Sequence, residues 1–109
     1  MKRGEIWTAA TPGSYTGKPR PVAIVQNEAF VTESITVCGF TTTDADVPLL
    51  RPVIRPTLAN GLREMSRLMP DKIASIPKQR LGKKIGELSA DDLRAVDAAL
   101  MVFLGLTMR

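Results

Sequence analysis

Arg20 lies between Pro19 and Pro21, at the mouth of the apolar run 22–25, Val-Ala-Ile-Val. The proline after it steers its backbone away from the α region, and the two rings fix φ on either side. A guanidinium held on a rigid backbone suits phosphate handling, because it can donate two parallel hydrogen bonds to phosphate oxygens. The alternative is a charge at a strand end that simply faces water. A second group of interest is the run Thr41, Thr42, Thr43, followed by Asp44 and Asp46. β-Propensity alone accounts for threonine at a strand end, but three in a row also place several hydroxyls at one rim of a sheet.

Other chemistries are closed off. Histidine is absent and Cys38 is the sole cysteine. There is therefore no internal disulfide, no thiolate metal cage and no Ser-His or Cys-His nucleophile system. Any catalysis has to use Arg, Lys, Tyr, Thr, Glu or Asp. The stretch with Gly13, Gly17 and Lys18 imitates a phosphate-binding loop, but Pro19 follows the lysine where Ser or Thr is required, and a strand follows where a helix is required. A nucleoside-triphosphate site of that type is rejected.

The net charge is +4, unevenly spread: residues 51–84 carry nine Lys/Arg against two acids, whereas 85–109 carry two against four. A basic middle segment favours a polyanion such as nucleic acid; ordinary solubilising charge is the alternative.

The elements that must position these groups are short. Residues 3–10, with Ile6 and Trp7, read as a first strand, and 11–19 as a turn-forming segment. The run 22–25 reads as a strand buried on both faces, central in a small sheet. Residues 35–41 alternate as a third strand. Prolines at 52 and 56 demote 49–56 to a short edge strand. Asn60-Gly61 signals a turn leading into 66–69, with 71–76 beyond and a bend at Pro70. Residues 77–82 read as a basic turn and 84–88 as a last short strand. Ser89 caps one helix, with Asp91 and Asp92 at its positive end, and Gly105 closes it. Leu93, Val96, Leu100, Phe103 and Leu104 fall on one face of that helix, to cover the sheet or an identical partner. Five or six strands and one helix predict a mainly β fold with α, a partly open antiparallel barrel with a C-terminal helix.

At 109 residues the chain is expected to form a single domain over 1–109. Its longest apolar run, 98–104, falls far short of a bilayer span, and the start of the sequence turns polar before a signal-peptide core can form. A soluble cytoplasmic protein with no membrane partner is the expectation.

The order of these pieces resembles the MazF/PemK family of toxin–antitoxin ribonucleases. The resemblance runs from Lys2-Arg3-Gly4-Glu5-Ile6-Trp7 through the Arg-Pro-Val core at 20–22 and the segment 37–43. It continues through Arg80-Leu81-Gly82 and Ile85-Gly86-Glu87-Leu88-Ser89 into the helix with Val96-Asp97-Ala98-Ala99-Leu100. It implies an SH3-like, MazF/CcdB-like barrel acting as a homodimer in the bacterial cytoplasm. It also implies an endoribonuclease needing no metal or other cofactor, which cuts single-stranded mRNA at short sequence motifs and so inhibits translation and growth. A cognate antitoxin would block the basic groove with an acidic, partly disordered tail, and DNA would be met only indirectly, through that antitoxin.

The resemblance places the catalytic pair on Arg20 and Thr41. The chemistry it implies is attack by the ribose 2′-OH, leaving a 2′,3′-cyclic phosphate and a free 5′-OH. Arg20 would stabilise the phosphorane charge, since a guanidinium with a pKa above about 12 is a poor proton carrier. Thr41 would hydrogen-bond a non-bridging oxygen or orient the 2′-OH. RNA contacts are expected from Tyr15, Thr16, Lys18, Thr42, Thr43 and Lys72. Two departures stand out. Relatives carry a Ser-Glu-Gln-type loop where this chain has Ser14, Tyr15 and Thr16, so a carboxylate is replaced by a ring suited to stacking on a base. Relatives also have Gln-Ile-Arg where this chain has Lys72-Ile73-Ala74, shifting one basic contact. The proton acceptor for the 2′-OH is left without an obvious candidate. Two other readings share the fold: an RNA-binding module without catalysis, and a gyrase-inhibitor-type toxin acting by protein contact.

Overall fold

The computed structural model describes residues 1–10, 18–43 and 50–106. Seven strands and one α-helix are found among them: β1 Glu5–Ala9, β2 Arg20–Ile24, β3 Ser34–Thr41, β4 Val53–Ile54, β5 Ser66–Leu68, β6 Ala74–Pro77, β7 Leu81–Glu87 and α1 Ala90–Leu104. The order across the sheet is β4-β5-β3-β2-β1-β7, with β6 also paired to β3, and every pairing is antiparallel. The partly open antiparallel barrel with a C-terminal helix is the fold observed.

β2 is buried on both faces, as its unbroken apolar run requires. Ala23 and Val25 join Ile6, Cys38, Leu68 and Val96 in one core; Val22 and Ile24 join Ala9, Ile35, Val37 and Ile76 in the other. Alternation along one strand therefore feeds two separate packing layers. The second layer exists because the sheet curls, bringing Ile76 of β6 and half-buried Trp7 and Leu81 over that face.

The helix covers the first layer. Its cap is Ser89, whose Oγ accepts from the Asp92 amide at 3.1 Å. It ends in a Schellman motif: Gly105 sits at φ +72°, Leu106 N donates to Met101 O at 2.8 Å, and Gly105 N to Val102 O at 3.2 Å. Arg3 fastens it to the sheet, donating from Nε to Val25 O at 3.0 Å and from its Nη2 to Asp97.

Three expectations are corrected. The sheet has seven strands, because Pro70 and Lys78 start 3₁₀ turns (Pro70–Lys72 and Lys78–Arg80) that divide the segment into β5, β6 and β7. β7 begins at Leu81 instead of residue 84, absorbing part of the expected basic turn. The helix stripe is not uniform: Leu93, Val96 and Leu100 pack on the core, but Phe103 and Leu104 stay 43% and 49% exposed because the last turn overhangs the sheet.

Candidate active-site cleft

The registers of β2 and β3 bring the two halves of the site together. Val22 pairs with Gly39, Ala23 with Cys38 and Ile24 with Val37. Two further steps along that register set Arg20 opposite Thr41 at the open ends of both strands. On the other side Ala9 of β1 pairs with Arg20, and Arg67 of β5 pairs with Thr41. A guanidinium and a hydroxyl 21 positions apart in the chain thus become neighbours across one strand pair.

Both line a cleft of about 1030 Å³, together with Thr42, Thr43, Lys72, Thr8, Arg63 and Glu64 on its polar side. Phe40, Leu62, Met69 and Ile85 are among its apolar lining. Three cations and one carboxylate leave the described part of the lining net positive. A lining that mixes cations and hydroxyls with apolar side chains suits a nucleotide, whose phosphate is polar and whose base is not.

Arg20 is exposed, and no ion pair among the described residues engages its guanidinium. Its donors are open to a ligand. The Thr41 hydroxyl oxygen accepts from the Thr43 amide at 3.1 Å, which fixes the threonine rim and leaves the hydroxyl proton to donate. Thr8 is already engaged, its Oγ1 accepting from Lys83 N at 2.9 Å.

The far wall is carried by the segment after β4. Asn60, 2% exposed, accepts at Oδ1 from the amides of Thr57 and Leu62, both at 3.0 Å, and donates from Nδ2 to Arg55 O at 2.7 Å. The segment is clamped onto β7, with Glu87 N donating to Ala59 O at 2.9 Å. The contact is close enough to require glycine: a Cβ on Gly61, at φ +71°, would lie 2.1 Å from Ile85 O, and one on Gly86 would lie 2.3 Å from the Asn60 carbonyl carbon. Arg63 and Glu64 follow directly and face the cleft from this fixed base.

Behind Lys72, Arg51 forms a two-pronged bridge to Asp71, Nε to Oδ1 at 3.0 Å and Nη2 to Oδ2 at 2.8 Å. Arg51 holds the Asp71 carboxyl below its usual range. Lys84 is likewise engaged, 2.8 Å from Glu87 and 3.2 Å from Glu5. The basic middle segment is therefore partly consumed in structural pairs, and only Arg63 and Lys72 of it line the cleft. Burial, reinforced by the charge of Asp71, pushes the Cys38 thiol up to about 12, so Cys38 is an inert core residue.

Of the residues expected from sequence, Arg20, Thr41, Thr42, Thr43 and Lys72 come together in the cleft. Lys18 is exposed and lies outside its lining. Tyr15 and Thr16 lie outside the described residues. Thr8, Arg63 and Glu64 were missed. The signal for Glu64 was present: it is one of only two acids in the basic stretch 51–84, directly after the Asn60-Gly61 turn.

The family model of the PemK-like, MazF-like toxin of type II toxin–antitoxin systems matches residues 2–104. A protein of Mycolicibacterium smegmatis named as a probable endoribonuclease MazF is 51% identical over 107 residues, which span 97% of this chain and 98% of that protein. The Mycobacterium tuberculosis toxin MazF-mt6 superposes with a TM-score of 0.80 at 27% identity, over 95% of this chain and 99% of that one. A mycobacterial endoribonuclease solved with its cognate antitoxin shares the fold at a TM-score of 0.80 and 24% identity, over 100% of this chain and 99% of that one. The chain belongs to the PemK-like, MazF-like family of toxins of type II toxin–antitoxin systems.

Proposed function

We propose that this chain, an endoribonuclease of the MazF type, cleaves single-stranded RNA in the cleft between Arg20 and Thr41. The observation that carries the reading is the cross-strand placement of a guanidinium, without an ion pair among the described residues, against a hydroxyl whose proton is free to donate. The ribose 2′-OH attacks the adjacent phosphorus, the 5′-oxygen departs, and a 2′,3′-cyclic phosphate and a 5′-OH end remain. Arg20 binds the equatorial oxygens and gains strength as charge builds on them. Thr41 donates to a non-bridging oxygen. Thr42, Thr43 and Lys72 hold the flanking backbone, Lys18 extends the positive approach, and Tyr15 and Thr16 contact the bases. No metal takes part.

The rest of the reading concerns partners. Residues 1–109 act as one domain in the bacterial cytoplasm, and cutting mRNA stops translation and growth. The cognate antitoxin, a toxin-binding partner in this family's systems, occupies the same cleft with an acidic segment and provides the only link to DNA. A second copy of the chain covers the overhanging apolar turn of α1, where Val102, Phe103, Leu104 and Leu106 are exposed. Cys38 takes no part in that contact, being fully buried in the core.

The test is a long unstructured RNA incubated in excess EDTA with the purified protein and with Arg20→Ala. Cuts bearing 5′-OH ends, lost in the variant, are expected. RNA that is bound but intact would favour the non-catalytic RNA-binding module, and RNA neither bound nor cut would favour a protein target.

A further inference from the structure

A 2′-OH has to lose its proton as it attacks, and neither Arg20 nor Thr41 is suited to take it. Among the described residues, one carboxylate lines the cleft, that of Glu64. It is exposed, and no ion pair or side-chain hydrogen bond among the described residues occupies its oxygens. Among the described residues only its backbone is engaged, its carbonyl accepting from Ser66 Oγ at 3.0 Å. The segment that carries it is held by the buried Asn60 network and by contact with β7 too close for any side chain at Gly61 or Gly86. A carboxylate on a rigid segment that lines the same cleft as Arg20 and Thr41, with no partner among the described residues, is placed for chemistry instead of stability.

We propose that Glu64 is the proton acceptor of this cleft. The inference rests on the nuclease reading above. A Glu64 carboxylate oxygen takes the 2′-hydroxyl proton while O2′ forms its bond to phosphorus. The P–O5′ bond breaks, and the 5′-oxygen leaves with the bonding pair and takes a proton from water. The hydroxide so formed collects the proton held on Glu64, and the carboxylate is restored. Among the described residues, the charged groups that line the cleft with Glu64 are Arg20 from β2, Arg63 beside it and Lys72 from the 3₁₀ turn, all cations. Glu64 thus supplies in this chain the carboxylate that the loop around Tyr15 lacks.

The experiment compares wild type, Glu64→Gln and Glu64→Asp on a short oligoribonucleotide with one cut site, across pH 4 to 9. A copy with 2′-deoxyribose at the cut reads affinity alone. For Glu64→Gln we expect kcat to fall about 10²- to 10⁴-fold at neutral pH, the size of a general-base contribution, with the affinity for the deoxy copy unchanged. The acidic limb of the wild-type pH profile disappears in Glu64→Gln, and its residual rate climbs steadily with pH as hydroxide takes over. Glu64→Asp keeps the limb at a reduced rate. A Glu64→Gln enzyme with wild-type kcat overturns the proposal. So does a loss that is equal at every pH, or a changed cut motif at an unchanged rate. Intact oligonucleotide with wild type itself overturns the nuclease reading and the role of Glu64 with it; cleavage that Glu64→Gln leaves unaltered overturns Glu64 alone.

Discussion

The amide of Thr43 donates to the hydroxyl oxygen of Thr41 at 3.1 Å, so the threonine rim is a structured turn in which one hydroxyl has its direction set. The acceptance turns one lone pair of Thr41 towards the chain and leaves its proton to donate, which is what a phosphate oxygen needs. Thr41→Val removes the donor and keeps the shape. It is expected to reduce kcat about 10²-fold, the usual loss for one transition-state donor, whereas Thr41→Ser keeps the turn and most of the rate. Single-turnover cleavage of a short oligoribonucleotide measures both.

Arg20 has no described partner, so replacing it should leave the fold intact and affect only the ligand. Arg20→Lys keeps the charge but loses the planar fork. We expect it to bind RNA within a few-fold of wild type and still lose about 10²-fold or more in kcat. Binding and cleavage measured separately would distinguish this from a simple electrostatic role, in which lysine would restore both.

Much of this was legible in the sequence, and the reasons are physical. Val22 to Val25 read as a strand buried on both faces, Ser89 with Asp91 and Asp92 read as a helix start, and both are found; Gly105 at φ +72° closes the helix as expected. Arg20 and Thr41 were identifiable one at a time, but their opposition depends on the β2–β3 register, which no local pattern states. Glu64 was hidden for a related reason. Its relevance comes from Asn60, Gly61 and Gly86 locking a loop against β7, a long-range fit in which the two glycines are 25 positions apart. The basic stretch was over-read, since Arg51 and Lys84 are engaged by Asp71, Glu5 and Glu87, contacts that composition cannot foresee.

The Asn60 network gives a prediction in which stability and activity move together. Asn60→Ala leaves the buried amide of Leu62 and the Arg55 carbonyl without their partner. Each buried group left unsatisfied costs about 1–3 kcal/mol. Urea unfolding should show a loss of that order, and kcat should fall even at temperatures where the variant is fully folded, because Arg63 and Glu64 lose their fixed base. Asn60→Asp, which retains the acceptor of the Thr57 and Leu62 amides, should recover part of both.

Glu5 makes the fold sensitive to acid. Burial opposes its ionisation, but hydrogen bonds from Trp7 Nε1 at 3.0 Å and from the Lys2 segment, with Lys84 at 3.2 Å, outweigh it and lower its pKa from 4.5 to about 2. A carboxyl whose folded pKa is depressed contributes stability that is fully present above its unfolded value. That contribution is lost as pH falls from 4.5 towards 2. It amounts to about 3 kcal/mol at most, by the conversion of pKa shift into free energy. Glu5→Gln should therefore be less stable than wild type at pH 7, with the gap closing as pH approaches 2. The slope that remains in the variant comes from carboxyls such as Asp71, which Arg51 depresses in the same direction. Urea midpoints taken at several pH values for both proteins check the sign. A gap that stays constant between pH 7 and 2 would mean that Glu5 stabilises by packing instead of by its charge.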